Sequence, residues 1–221
     1  MPELRAARGR PAASAAPLIA GRIVDAAWTV LLETGPEQFS LDRVASAAHA
    51  SKQTIYARFS GKLDLLQAVL AARTGLIFAS FTEVTESGDI EAVIAEMTRR
   101  SATILSGPEV LMLDRLVDWI DTVQTGGQGA PMREALYREM QTLLRGCLEK
   151  AIAQGQLSIE DIEGAASFWG DGLIGHVRGV PRGGAQLEQW ARTFARLFLR
   201  AVSGRGVIYP QTAADTLLRA R

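Results

Sequence analysis

The chain has 221 residues, 48% hydrophobic and 22% charged, a globular composition long enough to bury a sizeable core without staples. Its single cysteine, Cys147, excludes an internal disulfide, and with His49 and His176 far apart in sequence a zinc site is not expected, nor any other metal or cofactor. The 24 basic and 24 acidic side chains balance, but residues 1–75 hold nine Lys/Arg against six Asp/Glu, so positive charge leans toward the N-terminal third, as a nucleic-acid footprint requires.

Residues 1–17, rich in Ala, Arg and Pro, are expected to form a disordered basic arm. The apolar stretch after Arg5, Arg8 and Arg10 is too short for a secretory signal, and no later run is long enough to span a bilayer. A cytoplasmic location with no membrane partner is expected.

Ile23, Ala26, Ala27, Val30 and Leu31 lie on one face of a first helix, which Gly35-Pro36 stops. Leu41, Val44, Ala45 and Ala48 repeat with helical period in a short second helix, with Ser40 as its N-cap. Ser51 caps a third helix carrying Ile55 and Phe59, and Ser60-Gly61 breaks it. A fourth helix begins near Lys62 and is expected to run to about Ser87-Gly88. A fifth spans Asp89 to about Leu105. Gly107-Pro108 opens a sixth, since Pro is favoured at a first helical position, and this helix is apolar nearly all round, so it should be buried on most sides. Asp114, Asp118 and Asp121 on it read as a solvated face.

Residues 125–130 form a loop, and a seventh helix runs from about Pro131 to Gln154. Ser158 with Asp161 reads as a capping box for an eighth helix, interrupted by Gly170, Gly172 and Gly175. Its continuity through Gly170–Gly172 is open at this point. Pro181 to Gly184 is a breaker, a ninth helix covers about Ala185 to Val202, and the tail from Gly204 is expected to be mobile, with a short helix near 213–220. No strand-like alternation persists, so the fold class is all-α with about nine helices.

Two short helices joined by a tight turn suit a device that presents the second to the DNA major groove. At about 100° per residue, Ile55 and Phe59 face inward while Gln53 and Ala57 point out. Gln53 suits an adenine edge, and Ala57 permits close approach or a thymine methyl contact. Lys52, Thr54 and Tyr56 suit phosphate oxygens. The helix starts at Ser40, Ser51 and Ser60–Lys62 present free N–H groups to anions, with the Ser40 and Lys62 side chains as further donors.

The segment Ser40-Leu-Asp-Arg-Val-Ala-Ser-Ala-Ala-His-Ala-Ser-Lys-Gln-Thr-Ile-Tyr-Ala-Arg-Phe-Ser-Gly-Lys62 resembles the DNA-binding region of the tetracycline-repressor (TetR) family, over about residues 18–70. Its most specific part is the spacing Ser51-Lys52-x-Thr54-x-Tyr56-x-x-Phe59-x-x-Lys62. The family usually has Gly-Val where this chain has His49-Ala50; histidine tolerates the left-handed conformation such a turn needs. The resemblance implies a helix-turn-helix domain at 18–64, a helical ligand-binding and dimerisation domain at 65–203, and a tail at 204–221. Arg8 and Arg10 of the Arg8-Gly9-Arg10-Pro11 arm are candidates for minor-groove contact, with a disordered basic tail as the alternative.

Phe78, Phe81, Met97, Met112, Leu116, Trp119, Met140, Leu143 and Cys147 are candidates to line an apolar effector pocket, with plain core packing as the alternative. Trp169, Gly172, Leu173 and Gly175 of the eighth helix, with Phe194, Leu197 and Phe198 of the ninth, are candidates for a four-helix homodimer interface, with packing inside the chain as the alternative. The expected function is a ligand-responsive transcriptional regulator, a repressor released from a palindromic DNA operator by a small apolar effector through movement of the fourth helix. The alternatives are an all-α enzyme and a helical protein-interaction module without DNA binding. An enzyme is not expected, because the sequence shows no paired His–carboxylate motif, phosphate loop or metal cluster.

Overall fold

A computed structural model describes residues 15–81, 84, 89–179 and 184–203. Among these residues the chain forms nine helices and no strand: α1 (Ala15–Thr34), α2 (Leu41–Ala47), α3 (Lys52–Tyr56), α4 (Lys62–Ala79), α5 (Ile90–Leu105), α6 (Pro108–Thr125), α7 (Pro131–Ala153), α8 (Ile162–Gly179) and α9 (Gly184–Val202). They fall into two compact units. The first comprises residues to Gly75 together with Met112–Ala130; the second comprises Leu76–Leu111 and the chain from Pro131 onward. The division thus lies within α4 and α6 and not at residue 64, because the second half of α6 packs with the first unit. Residues 1–14 of the expected 1–17 arm, most of the Pro181–Gly184 breaker and the tail from residue 204 lie outside the described residues.

In the first unit, Ile23, Ala27, Leu31, Val44, Leu65, Leu66 and Leu116 lose all exposure. Burying an aliphatic side chain of this size is worth about 1.5–3 kcal/mol. Trp28 is buried beneath the Arg73 guanidinium, which lies 5.3 Å from its ring centroid and pairs with Asp25 at 2.7 Å. This clasp joins α4 to α1 across 48 residues of sequence. Two expectations for α6 fail here. Asp121 is 4% exposed and so is not part of a solvated face, while Val123 is 49% exposed. A helix apolar nearly all round has more apolar surface than this unit has neighbours to cover it.

In the second unit, Phe81, Val93, Ile94, Met97, Leu144, Cys147, Leu148, Trp169, Leu173 and Phe198 belong to one buried cluster. Ala95, Ala191 and Ala195 stand where α5 and α9 run together, and their small side chains permit that approach. Trp169 Nε1 donates to Thr98 Oγ1 at 2.9 Å, and that hydroxyl donates to the Ile94 carbonyl at 2.7 Å, so both buried polar groups are satisfied. The Tyr137 hydroxyl donates to Asp171 at 2.5 Å, fastening α7 to α8. Burial first, and then the carboxylate acceptor, push that phenol up to about 12. Across α8 and α9, His176 stacks on Trp190 at 3.7 Å, and Trp190 stacks on Phe194 at 5.2 Å.

Three helix ends, and the exposure of one α6 side chain, differ from expectation. α1 begins at Ala15, inside the segment expected to be disordered. α4 ends at Ala79 rather than near Ser87, where Ser80 turns back to bond the Ile77 carbonyl through its hydroxyl at 2.6 Å. α8 is capped by Asp161, whose carboxylate accepts from the Gly164 N–H at 2.8 Å, not by Ser158. In the second unit's part of α6, Leu111 is 64% exposed instead of buried. α8 itself is continuous through Gly170–Gly172. A Cβ on Gly172 would stand 2.8 Å from the Phe194 ring, so glycine is what allows α9 this close.

Candidate nucleic-acid interface

The first unit builds one exposed helix with care. Ser40 is extended (φ −131°) and its hydroxyl accepts from the Asp42 N–H at 3.2 Å, which starts α2. Val44 anchors that helix inward. The chain then reverses at His49, the one described non-glycine residue with positive φ (+49°). Ala50 N–H bonds back to the Ala45 carbonyl at 3.0 Å, and Arg22 of α1 donates to the Ala48 carbonyl at 3.0 Å, so the reversal is held from both sides. The left-handed conformation expected for His49 is therefore present. Since that conformation costs an L-residue about 1–2 kcal/mol, His49→Gly is expected to raise stability by up to about 1 kcal/mol in urea unfolding, and His49→Val to lower it. A stabilising valine would show that no strain is stored at the turn.

Ser51 is extended, and its hydroxyl accepts from Thr54 N–H at 3.1 Å and meets the Thr54 hydroxyl at 2.8 Å. α3 follows with Ile55 buried at 1% exposure and Phe59 just beyond it at 8%. Gln53, Tyr56 and Ala57 face outward, with Tyr56 57% exposed. Thr54 is half-buried and engaged in the cap, so the outward surface is narrower than the sequence implied.

The cations are not idle. Lys52 pairs with Asp42 at 2.5 Å, and the carboxylate's hydrogen bond and charge raise the ammonium pKa. Lys62 donates to the Glu37 carbonyl at 3.2 Å and sits 4.7 Å from the Trp119 ring centroid; burial lowers its pKa. The start of α4 is capped by Asp64, which accepts from Ser60 N–H at 2.8 Å. Each of the three helix starts expected to hold a phosphate thus already gives one N–H to its own side chain, leaving the neighbouring ones for an anion. Arg8 and Arg10 lie outside the described residues. Asp42, Arg22, Glu37 and Asp64 were not anticipated. Asp42 and Asp64 are acidic first-turn residues and could have been read as caps or partners, but nothing local signals that Arg22 reaches a carbonyl 26 residues away.

Residues 23–69 match the family described as bacterial regulatory proteins, tetR family. Over this segment the chain is similar to that family. The DNA-binding transcriptional repressor TetR of Mycobacteroides abscessus is 45% identical over 83 residues, 36% of this chain and 42% of that protein. The HTH-type transcriptional regulator SrpR of Pseudomonas putida is 30% identical over 139 residues, 62% of this chain and 63% of that protein. The matches thus span 42% and 63% of these curated relatives' lengths. A TetR-family transcriptional regulator from Mesorhizobium loti has the same fold, with a TM-score of 0.71 at 24% identity, over 85% of this chain and 98% of that one. No helix among the described residues is long and apolar enough to cross a membrane.

Of the expected pocket residues, Met112, Leu116 and Trp119 fall in the first unit and Phe78, Phe81, Met97, Met140, Leu143 and Cys147 in the second. Within the second, Cys147 Sγ lies 3.4 Å from Met97 Sδ and both are buried. Burial pushes the Cys147 thiol pKa up, so it stays neutral and unreactive. An open groove of about 500 Å³ runs over α5 and α9, with Glu96, Arg99, Arg192 and Arg196 on its walls; none of the expected pocket residues lines it.

The expected dimer face needs a larger correction. Trp169, Leu173 and Phe198 are 1%, 0% and 1% exposed, because they fill the second unit's own core, and they present no surface to a mate. Gly172 and Phe194 are half-buried against each other, while Gly175 and Leu197 are exposed. Phe168, which the sequence reading passed over, is 53% exposed.

Proposed function

We propose that this protein is a ligand-responsive transcriptional regulator that reads a palindromic DNA operator as a homodimer. The observation that carries the reading is the exposed Gln53–Tyr56–Ala57 face of α3, set by the Ser51 cap and the left-handed turn at His49. Gln53 reads an adenine edge, Ala57 lets the helix approach, and Tyr56, Lys52, Lys62 and the N–H groups at Ser40 and Ser51 take phosphates. The names of the relatives, a repressor and a regulator, support repression as the sense of control. Support for an apolar effector comes from the second unit, whose core around Met97 and Cys147 carries one satisfied polar site, the Trp169–Thr98 pair. Support for the homodimer comes from the apolar side chains that α8 and α9 leave exposed, Phe168 and Leu197.

The test is a titration of duplex DNA from upstream of its own gene at several salt concentrations. Affinity should fall steeply with salt, and Gln53→Ala should lose about 1–3 kcal/mol of discrimination at one base position while leaving other positions unchanged. Binding that ignores salt, or a Gln53→Ala variant with unaltered base preference, would remove α3 from the reading role.

A further inference from the structure

The Lys62 ammonium, given above to a DNA phosphate, is already engaged within the first unit. It stands 4.7 Å from the centroid of the Trp119 ring and 6.0 Å from that of Phe39, and it donates to the Glu37 carbonyl at 3.2 Å. The residue supplying that carbonyl is itself fastened, since the Glu37 carboxylate pairs with Arg115 at 3.0 Å. Arg115 and Trp119 are four residues apart on α6, one helical turn, so a single face of α6 grips both the loop before α2 and the first residue of α4. A compact ammonium held over an indole is partly stripped of water, and the attraction fades once it moves beyond about 6 Å from the ring.

We propose that Trp119 is a latch for Lys62: the ammonium leaves the indole and the Glu37 carbonyl to meet a DNA phosphate, so α6 sets how readily this unit grips DNA. The inference rests on the regulatory reading above. In that reading Lys62 contributes to affinity for any sequence, and Trp119 opposes that contribution. Trp119 is a positioning residue, since it acts on DNA only through Lys62. The effect belongs to the unliganded protein; once DNA is bound, Lys62 occupies its phosphate whether or not the ring remains.

The chain has only three lysines, Lys52, Lys62 and Lys150, so reductive methylation with ¹³C-formaldehyde places a resolved, still charged NMR probe on each. The Lys62 methyl signal, assigned by its loss in Lys62→Arg, should be displaced upfield by the Trp119 ring. It should return to the ordinary position in Trp119→Leu, and also when the wild type is saturated with the upstream duplex. Trp119→Leu should bind that duplex about three- to ten-fold more tightly, the size of a half-buried cation–π contact, with an unchanged salt slope. Trp119→Phe, which keeps a ring, should fall between, and it carries the affinity test if the leucine variant unfolds. Lys62→Ala should flatten the salt slope by about one ion and abolish the effect of Trp119→Leu. An upfield Lys62 signal that persists in the saturated complex, or a Trp119→Leu affinity no tighter than wild type, overturns the latch alone. A wild type that binds neither this duplex nor an unrelated one at low salt overturns the regulatory reading itself, and the latch with it.

Discussion

Ile55→Ala is expected to cost about 2–5 kcal/mol of stability in the first unit and to remove specific duplex binding. α3 has five residues, too few to hold a helix in water unaided. Its shape is imposed by the Ser51 cap, by Phe59 beyond its end, and by Ile55, the one residue of the helix that is buried. Truncating that anchor leaves a cavity and frees the helix to turn about its own axis, which displaces Gln53 and Ala57 from the groove. Ile55→Val, which removes one methylene, should cost about 0.5–1.5 kcal/mol and keep base preference. Urea unfolding and duplex titration on the same samples check both variants. An Ile55→Ala protein that remains folded and reads the operator as before would show that α3 is not the reader.

Trp169→Ala is expected to cost about 3–5 kcal/mol in the second unit, enough to threaten a domain whose whole stability is about 5–15 kcal/mol. The indole is 1% exposed among Met97, Leu173 and Phe198, and it satisfies Thr98 through Nε1. Trp169→Phe separates the two contributions. The ring volume is largely kept, and Thr98 still donates to the Ile94 carbonyl, so only about 1–2 kcal/mol should be lost. The concentration dependence of unfolding adds a second reading. A core residue lowers the midpoint alike at all protein concentrations, whereas a residue buried only against a mate would change how the midpoint shifts with concentration. The second pattern would return Trp169 to the dimer face from which its burial removes it.

The helices were legible because their apolar periods are long and their punctuation is local. Asp89 before α5, Pro108 opening α6 and Gly155 after α7 act within a residue or two of their own position. His49 was legible for a related reason: a turn of known geometry needs a left-handed residue, and histidine is among the few that accept it. What failed was the choice of neighbour. Trp169, Leu173 and Phe198 look the same in sequence whether their stripe packs inside the chain or on a mate, and only the partners α5 and α7 decide it. The end of α4 failed because no Gly or Pro lies between Gly75 and Gly88, and the stop comes from a Ser80 side chain competing for a backbone carbonyl. At the DNA-facing surface the outward residues were legible from angle alone, but their entanglements were not. That Lys52 holds Asp42, and Lys62 the Glu37 carbonyl, depends on loop paths that no periodicity records.

The four tryptophans fall evenly, Trp28 and Trp119 in the first unit and Trp169 and Trp190 in the second. Each unit therefore carries its own intrinsic fluorophores. In the second, Trp169 is buried while Trp190 stacks against the imidazole of His176 at 3.7 Å, so the two indoles sit in different surroundings. Phenylalanine at Trp28 and Trp119 would leave a protein whose colour and brightness report the second unit alone. The reciprocal pair of changes would report the first, letting the melting of the two halves be watched separately in an unlabelled sample.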